Sequence, residues 1–236
     1  MTDRDTPDLD VSIVRAGSIT PEEHAAVFEV FDASYRDANH EYLQRSIDRI
    51  GLLSLATHEG RGVGYSISHT RWMDLSGFAK PQLVQLHGMR AVLPEFRHRG
   101  VNRATNRAVM GAMKQELKAI GRPRTRQLSC GRYGHAAGAG GRTDPSAVPK
   151  LGETPTAWQQ AVGLAVAEAY GSTLDPETFV CIGPGTPIGY PNEAFPPTEA
   201  ERDAYALVDR DRGDNLLVIN WIPDGPPRWN DPSVEV

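Results

Sequence analysis

Apolar positions recur at two periods along this chain, near 2 and near 3.6, and the switches between them divide it into strands and helices. Residues 11–14 alternate as a first strand behind a polar, acidic stretch, 1–10, expected to be a flexible tail. Thr20-Pro21-Glu22-Glu23 is a helix start, with Thr20 as N-cap, Pro21 in the first turn and Glu23 closing a capping box. Val27, Phe28, Phe31 and Tyr35 then share one face. A second helix is predicted over 41–50, stopped by Gly51. Two β-prone runs, 52–57 and 63–70, are joined by the glycine-containing loop 58–62 as a hairpin, and 72–80 reads as a loop. A further strand, 83–92, carries Gly88 in its middle, where a bulge or a close ligand approach is expected, and Pro94 ends it.

After Gly100, Val101, Ala104, Ala108, Ala112, Leu117 and Ile120 predict a long amphipathic helix with one buried stripe. Gly121-Arg122-Pro123 stops it, 125–130 reads as a strand, and 131–153 is a glycine-rich loop without periodicity. A helix follows over 155–170, with Thr154 as cap, Trp158, Val162, Ala165 and Ala169 on one side, and Gly171 as stop. Residues 179–182 and 216–222 are strands, Thr198 and Glu201 make a capping box for a helix through Leu207, and 223–236 is an irregular proline-rich tail.

Charge changes this picture in one place. The net charge of −5 argues against a nucleic-acid binder, yet between Arg97 and Arg142 stand eleven Arg or Lys against one acid, Glu116. A basic face inside an acidic chain suits a small polyphosphate; a plain solvated face is the alternative. Two cysteines, Cys130 and Cys181, form no disulfide framework and suit a reducing cytoplasm. His24, His40, His58, His69, His98 and His135 do not group at ligand spacings, so no catalytic metal is expected. No apolar run approaches the roughly 20 residues that cross a bilayer, and the polar N-terminus is not a signal peptide.

The candidate chemistry lies at the start of the long helix. Gly100 permits a close approach of backbone to ligand, the first-turn amides have no helical acceptor, and Arg97, His98, Arg99 and Arg103 add side-chain donors. Free amides at the positive end of a helix dipole bind anions, so phosphate or pyrophosphate binding is expected here.

The run Val92-Leu93-Pro94-Glu95-Phe96-Arg97-His98-Arg99-Gly100-Val101-Asn102-Arg103-Ala104 resembles motif A of the GNAT N-acetyltransferase superfamily, Arg/Gln-x-x-Gly-x-Gly/Ala. Asn102 departs from it, standing where the family has Gly or Ala. The order strand, two helices, three strands, helix, strand, helix, two strands resembles the family too. The resemblance implies an α/β (α+β) single domain over 11–222, with insertions at about 131–153 and 185–213. It implies a central mixed, largely antiparallel twisted sheet of about seven strands, with helices on both faces and a splay between strands four and five. It also implies acetyl-CoA or another acyl-CoA as co-substrate, held by Arg97, His98, Arg99, Gly100, Val101, Asn102 and Arg103, with backbone groups of Ala91 and Val92 beside the thioester. Transfer to an amine would be direct, without an acyl-enzyme.

For proton removal, His87 is the titratable candidate on strand 83–92, facing with Gln85, Met89 and Ala91; a hydrogen-bonded core histidine is the other reading. The family's usual Glu position falls on Leu86, and its usual Tyr position on Ala167. Tyr170 and Tyr133 are the candidates for the thiolate's acid, with packing as the alternative. The expectation is a cytoplasmic N-acyltransferase acting on a small-molecule or peptide amine, with no nucleic-acid or membrane partner and compatible with a homodimer. The rival is a non-catalytic acyl-CoA-binding or interaction module, which Asn102, Leu86 and Ala167 favour.

Overall fold

The computed structural model describes residues 8–15, 17–49, 51–78, 80–121, 127–134, 147–150, 152–192 and 196–222. The tail 223–236 and most of the loop 131–153 lie outside the described residues. The elements are β1 (Asp10–Arg15), α1 (Pro21–Ser34), β2 (Tyr35–Arg36), α2 (His40–Asp48), β3 (Leu52–His58), β4 (Arg61–Met73), β5 (Gln82–Val92) and α3 (Val101–Ala119). They continue as β6 (Gln127–Tyr133), α4 (Ala157–Ala169), β7 (Thr173–Asp175), β8 (Val180–Ile182), β9 (Tyr190–Pro191), α5 (Arg202–Ala206) and β10 (Asn215–Ile222). With β2, β7 and β9 as short additions, and the helix expected before Leu207 present as α5, this is the expected order. The fold is α/β, a mostly antiparallel sheet with helices, and two compact units divide it.

The first unit comprises Met1–His69, His87–Arg124 and Ile188–Asn192. Its strands run in the order β1-β3-β4-β5, and β1 and β4 both pair antiparallel with β3. Leu52 to Ala56 of β3 are all buried rather than alternating, the pattern of a strand covered on both faces. The turn after β3 has positive φ at Glu59 (51°) and Gly60 (79°), the two-residue hairpin turn whose twist matches its strands.

Helix α1 begins as expected: Thr20 Oγ1 accepts from the Glu23 amide (3.2 Å) and Glu23 Oε2 from the Thr20 amide (3.0 Å). It buries Val27, Val30 and Phe31. The cap of α2, Asn39, accepting from the Tyr42 amide at 2.9 Å, carries a signal the hydrophobic pattern overlooks.

In α3 the buried positions are Val101, Thr105, Val109, Met113 and Leu117, a strict fourfold spacing. The expected stripe through Ala104, Ala108 and Ala112 is displaced by about one residue, and Ile120 is 59% exposed. Alanine leaves a helix face undecided, so the larger Val109 and Met113 set which side faces inward.

The second unit comprises Thr70–Leu86, Thr125–Pro187 and Glu193–Val236. Its strand order is β6-β10-β8-β7, beyond the first half of β5. Strand β10 is an apolar run with Leu216, Leu217, Val218 and Ile219 all buried, pairing antiparallel with β6 and β8. Strand β4 extends through Trp72, which the sequence placed in a loop. Helix α4 is capped by Thr156, not Thr154, because Gln159 stands three residues on and closes the box (2.8 Å to the Thr156 amide). Thr198 and Glu201 form their box, but the first turn is a 3-10 turn ahead of the five-residue α5.

Asp214, 2% exposed, fixes the turn before β10. It accepts from Arg212 Nε (2.8 Å) and Nη2, the Gly183 amide (2.8 Å) and the Asp209 amide (3.3 Å). Arg212 first, then these amides, hold its carboxyl below the usual carboxylate range against the opposing effect of burial. A folded-state value below the unfolded one gives stability that is present above roughly pH 4 and lost as pH falls through the folded value. Urea midpoints of the wild type and Asp214→Asn should therefore lie furthest apart near neutrality and converge in acid. A constant gap would contradict this assignment.

Candidate functional site

Within the first unit, the end of β5, the loop after it and the start of α3 carry Ala91, Val92 and Arg97 through Arg103, while His87 stands in the middle of β5, five residues before its end. The Leu93 amide donates to the Val63 carbonyl at 2.9 Å, carrying the sheet one residue past β5. A 3-10 turn over Pro94–Phe96 follows, with buried Phe96 as its anchor. His98 has φ 60°, and Gly100, at φ 88° and ψ −1°, is the N-cap of α3. That left-handed conformation is costly for any residue with a Cβ.

Among the described residues no side chain caps this helix. The Gly100 carbonyl already accepts the Ala104 amide at 2.9 Å, while the amides of Val101, Asn102 and Arg103 precede the first intrahelical donor. Asn102 is exposed, so its side chain turns away from the core, and Arg103 is exposed beside it. Arg99 is exposed with its guanidinium 5.6 Å from the Phe96 ring centroid.

Gly64 on β4 brings α3 against the sheet. A Cβ there would lie 2.6 Å from Val101 Cγ1 and 3.2 Å from the Ala91 carbonyl and from Val92 Cγ2. Only a residue without a side chain allows the first helical residue to pack this closely on the strand.

Arg97 has a different surrounding from the one expected. Its Nε donates to the Val92 carbonyl (3.3 Å) and its Nη2 to the Ser34 carbonyl (3.4 Å), while Ser34 Oγ also donates to the Val92 carbonyl (3.1 Å). Arg97 thus ties the loop to the ends of β5 and α1, and the Val92 carbonyl is already engaged. Sequence reading missed Ser34, for which no local signal exists: the contact spans distant parts of the chain.

His87 is partly buried on β5 next to an exposed Gly88. Burial, and then the charge of Arg90, lower its pKa to about 4, so the imidazole is neutral at neutral pH. A neutral imidazole accepts hydrogen bonds but is poorly matched to an ammonium whose pKa lies several units higher. Leu86 is core at 4% exposure and supplies no acid.

Tyr133 and Tyr170 belong to the second unit. Tyr170 Oη donates to the Cys130 carbonyl at 2.6 Å, and the Arg132 guanidinium lies 4.5 Å above its ring. Burial raises the Tyr170 pKa well above the ordinary phenol value, with Cys130 adding to the rise and Arg132 opposing it. Tyr133 folds back over Gly131, its Oη 2.5 Å from where a Cβ would sit there. Ala167 is buried in α4. Among the described residues no group of three His, Cys, Asp or Glu is arranged to hold a metal ion, and no helix is long and apolar enough to cross a membrane.

No protein-family model and no curated protein matches this sequence. Solved structures similar to the chain include acetyltransferases of the GNAT family, the family the sequence resembles. The ribosomal-protein-S18-alanine N-acetyltransferase of Escherichia coli is 12% identical, with 93% of this chain and 98% of that one covered and a TM-score of 0.40. A GNAT-family acetyltransferase of Brucella melitensis, solved with acetyl-CoA, is 19% identical over 51% of this chain and 75% of that one, with a TM-score of 0.35. An aminoglycoside acetyltransferase from an uncultured soil metagenomic sample is 14% identical over 46% of this chain and 71% of that one, with a TM-score of 0.34. At such identities and scores the likeness carries no function to this chain.

Proposed function

We propose that this protein is an acyl-CoA-dependent N-acyltransferase, with acetyl-CoA as the acyl donor and an amine as the acceptor, working in the cytoplasm. The observation that carries the reading is the start of α3: an uncapped helix with Gly100 in the left-handed region, exposed Arg99 and Arg103 beside it, and Arg97 bracing the loop behind it. That arrangement suits a pyrophosphate, which needs several donors pointing one way and cations to balance it. Ala91, at the end of β5, would lie along the pantetheine arm. His87, neutral and weakly basic, fits the orientation of an acceptor amine better than the permanent removal of its proton; a water molecule could complete that step. Tyr133 and Tyr170 belong to the second unit, and neither is assigned the departing thiolate's proton: the Tyr170 hydroxyl is held by the Cys130 carbonyl, and water can supply that proton.

A second reading, a GNAT-like module that binds acyl-CoA without catalysis, is favoured by one set of observations. Leu86 and Ala167 fill the core where an acid or base would stand, and the Tyr170 proton is committed to a backbone carbonyl. Calorimetric titration with acetyl-CoA, free CoA and dephospho-CoA separates these from a chain that binds no CoA. Micromolar binding that weakens without the 3′-phosphate is expected under both, and release of CoA in the presence of an amine only under the first. No binding of any of the three would overturn the donor-site reading.

A further inference from the structure

The strap Ile188–Asn192 leaves the long insertion before α5 and joins the first unit. Its strand β9 pairs antiparallel with β2, Tyr35 opposite Pro191 and Arg36 opposite Tyr190, and the Asn39 amide donates to the Ile188 carbonyl at 3.1 Å. The strap ends at Asn192, whose amide donates to the Ser34 carbonyl (3.0 Å) and whose Nδ2 donates to the Ala33 carbonyl (2.8 Å). Ala33 and Ser34 are the last two residues of α1, where carbonyls have run out of intrahelical donors. One residue from a distant part of the chain therefore closes off the end of this helix.

The same Ser34 carbonyl accepts Arg97 Nη2, and the same residue's hydroxyl shares the Val92 carbonyl with Arg97 Nε. The Asn192 amide and Arg97 Nη2 thus meet on the Ser34 carbonyl, a second branch joins Ser34 to Arg97 through the Val92 carbonyl, and the Asn192 side chain holds the neighbouring Ala33 carbonyl. One helix end therefore carries both Asn192 and Arg97, the residue that begins the loop leading to Gly100. A flexible arginine holds a loop only as well as its acceptors are held, because loose partners would not recover the rotamer entropy its side chain gives up.

We propose that Asn192 is a positioning residue of the anion site. By fixing the end of α1 it fixes Arg97, and through Arg97 it sets the direction of the amides at the start of α3. This rests on the donor-site reading above, and it gives the insertion a task at the donor side of the reaction.

The test uses the full chain and two measurements, calorimetric titration with free CoA and hydrogen exchange of the amides at 97–103, on Asn192→Ala and Asn192→Gln. Asn192→Ala removes the bond to Ala33 and should weaken CoA binding about fivefold, the usual effect of one such bond. It should also speed exchange at 97–103 while β3 and β10 keep wild-type protection. Asn192→Gln keeps an amide donor and should remain within about twofold of wild type. Wild-type affinity and unchanged exchange in Asn192→Ala would overturn the proposal, as would faster exchange throughout the protein, which marks general loosening. If the wild type itself binds no CoA, the donor-site reading fails by itself. The exchange data then decide alone: acceleration confined to 97–103 supports the positioning role, and its absence overturns it.

Discussion

Replacing Gly100 with glutamate is expected to weaken coenzyme A binding by roughly a hundredfold or more while the chain stays folded. Two effects combine. A residue with a Cβ at φ 88° is strained by about 1–2 kcal/mol, and a carboxylate at the helix start places a fixed negative charge where the pyrophosphate is expected. Gly100→Ala separates them, because it carries the strain without the charge. Its stability should fall by about 1–2 kcal/mol, and its affinity for CoA by less than tenfold. Titration calorimetry and thermal unfolding on both variants check this. If Gly100→Glu binds CoA like wild type, the ligand lies elsewhere on the molecule.

The second large effect is expected at Gly64. A methyl group there meets Val101 Cγ1 at 2.6 Å, far inside van der Waals contact, with the Ala91 carbonyl at 3.2 Å closing off one line of retreat. Gly64→Ala should therefore destabilise the fold by about 1–3 kcal/mol and displace the start of α3. Val101→Ala makes room, so the double variant should lose clearly less than the two single losses combined, by about 0.5–3 kcal/mol. Urea unfolding of the four proteins measures this. Strict additivity would mean that α3 is free to slide on the sheet, and that Gly64 does not set its position.

What could be read from the sequence was local. Thr20 and Glu23 announce α1 because both partners of the capping box lie within one turn, and Gly100 announces the start of α3 for a similar reason. The face of α3 was misplaced by about one residue because its alanines weigh little against Val109 and Met113. The candidate site divides along the same line. The loop between β5 and α3 shows itself in a run of thirteen residues, from Val92 to Ala104, but its support does not. Arg97 reads as a phosphate ligand in the sequence, which holds no hint of its bonds to the Ser34 and Val92 carbonyls, and Asn192 carries no signal at all. His87 has the right chemistry for a base in the sequence, whereas the weakness of that base is a property of its burial next to Arg90.

The placement of the two cysteines has a practical consequence at the bench. Cys130 on β6 and Cys181 on β8 flank β10 on either side, each about 1% exposed or less, and burial pushes both thiols up, Cys181 to about 11. Only a thiolate attacks a disulfide reagent, and access is required as well. The folded protein should therefore be silent toward a chromogenic disulfide. Every equivalent of colour that develops in a mixture of protein, acetyl-CoA and a trial amine can be assigned to coenzyme A set free, so a broad panel of amines can be screened continuously without blocking the protein's own sulfur.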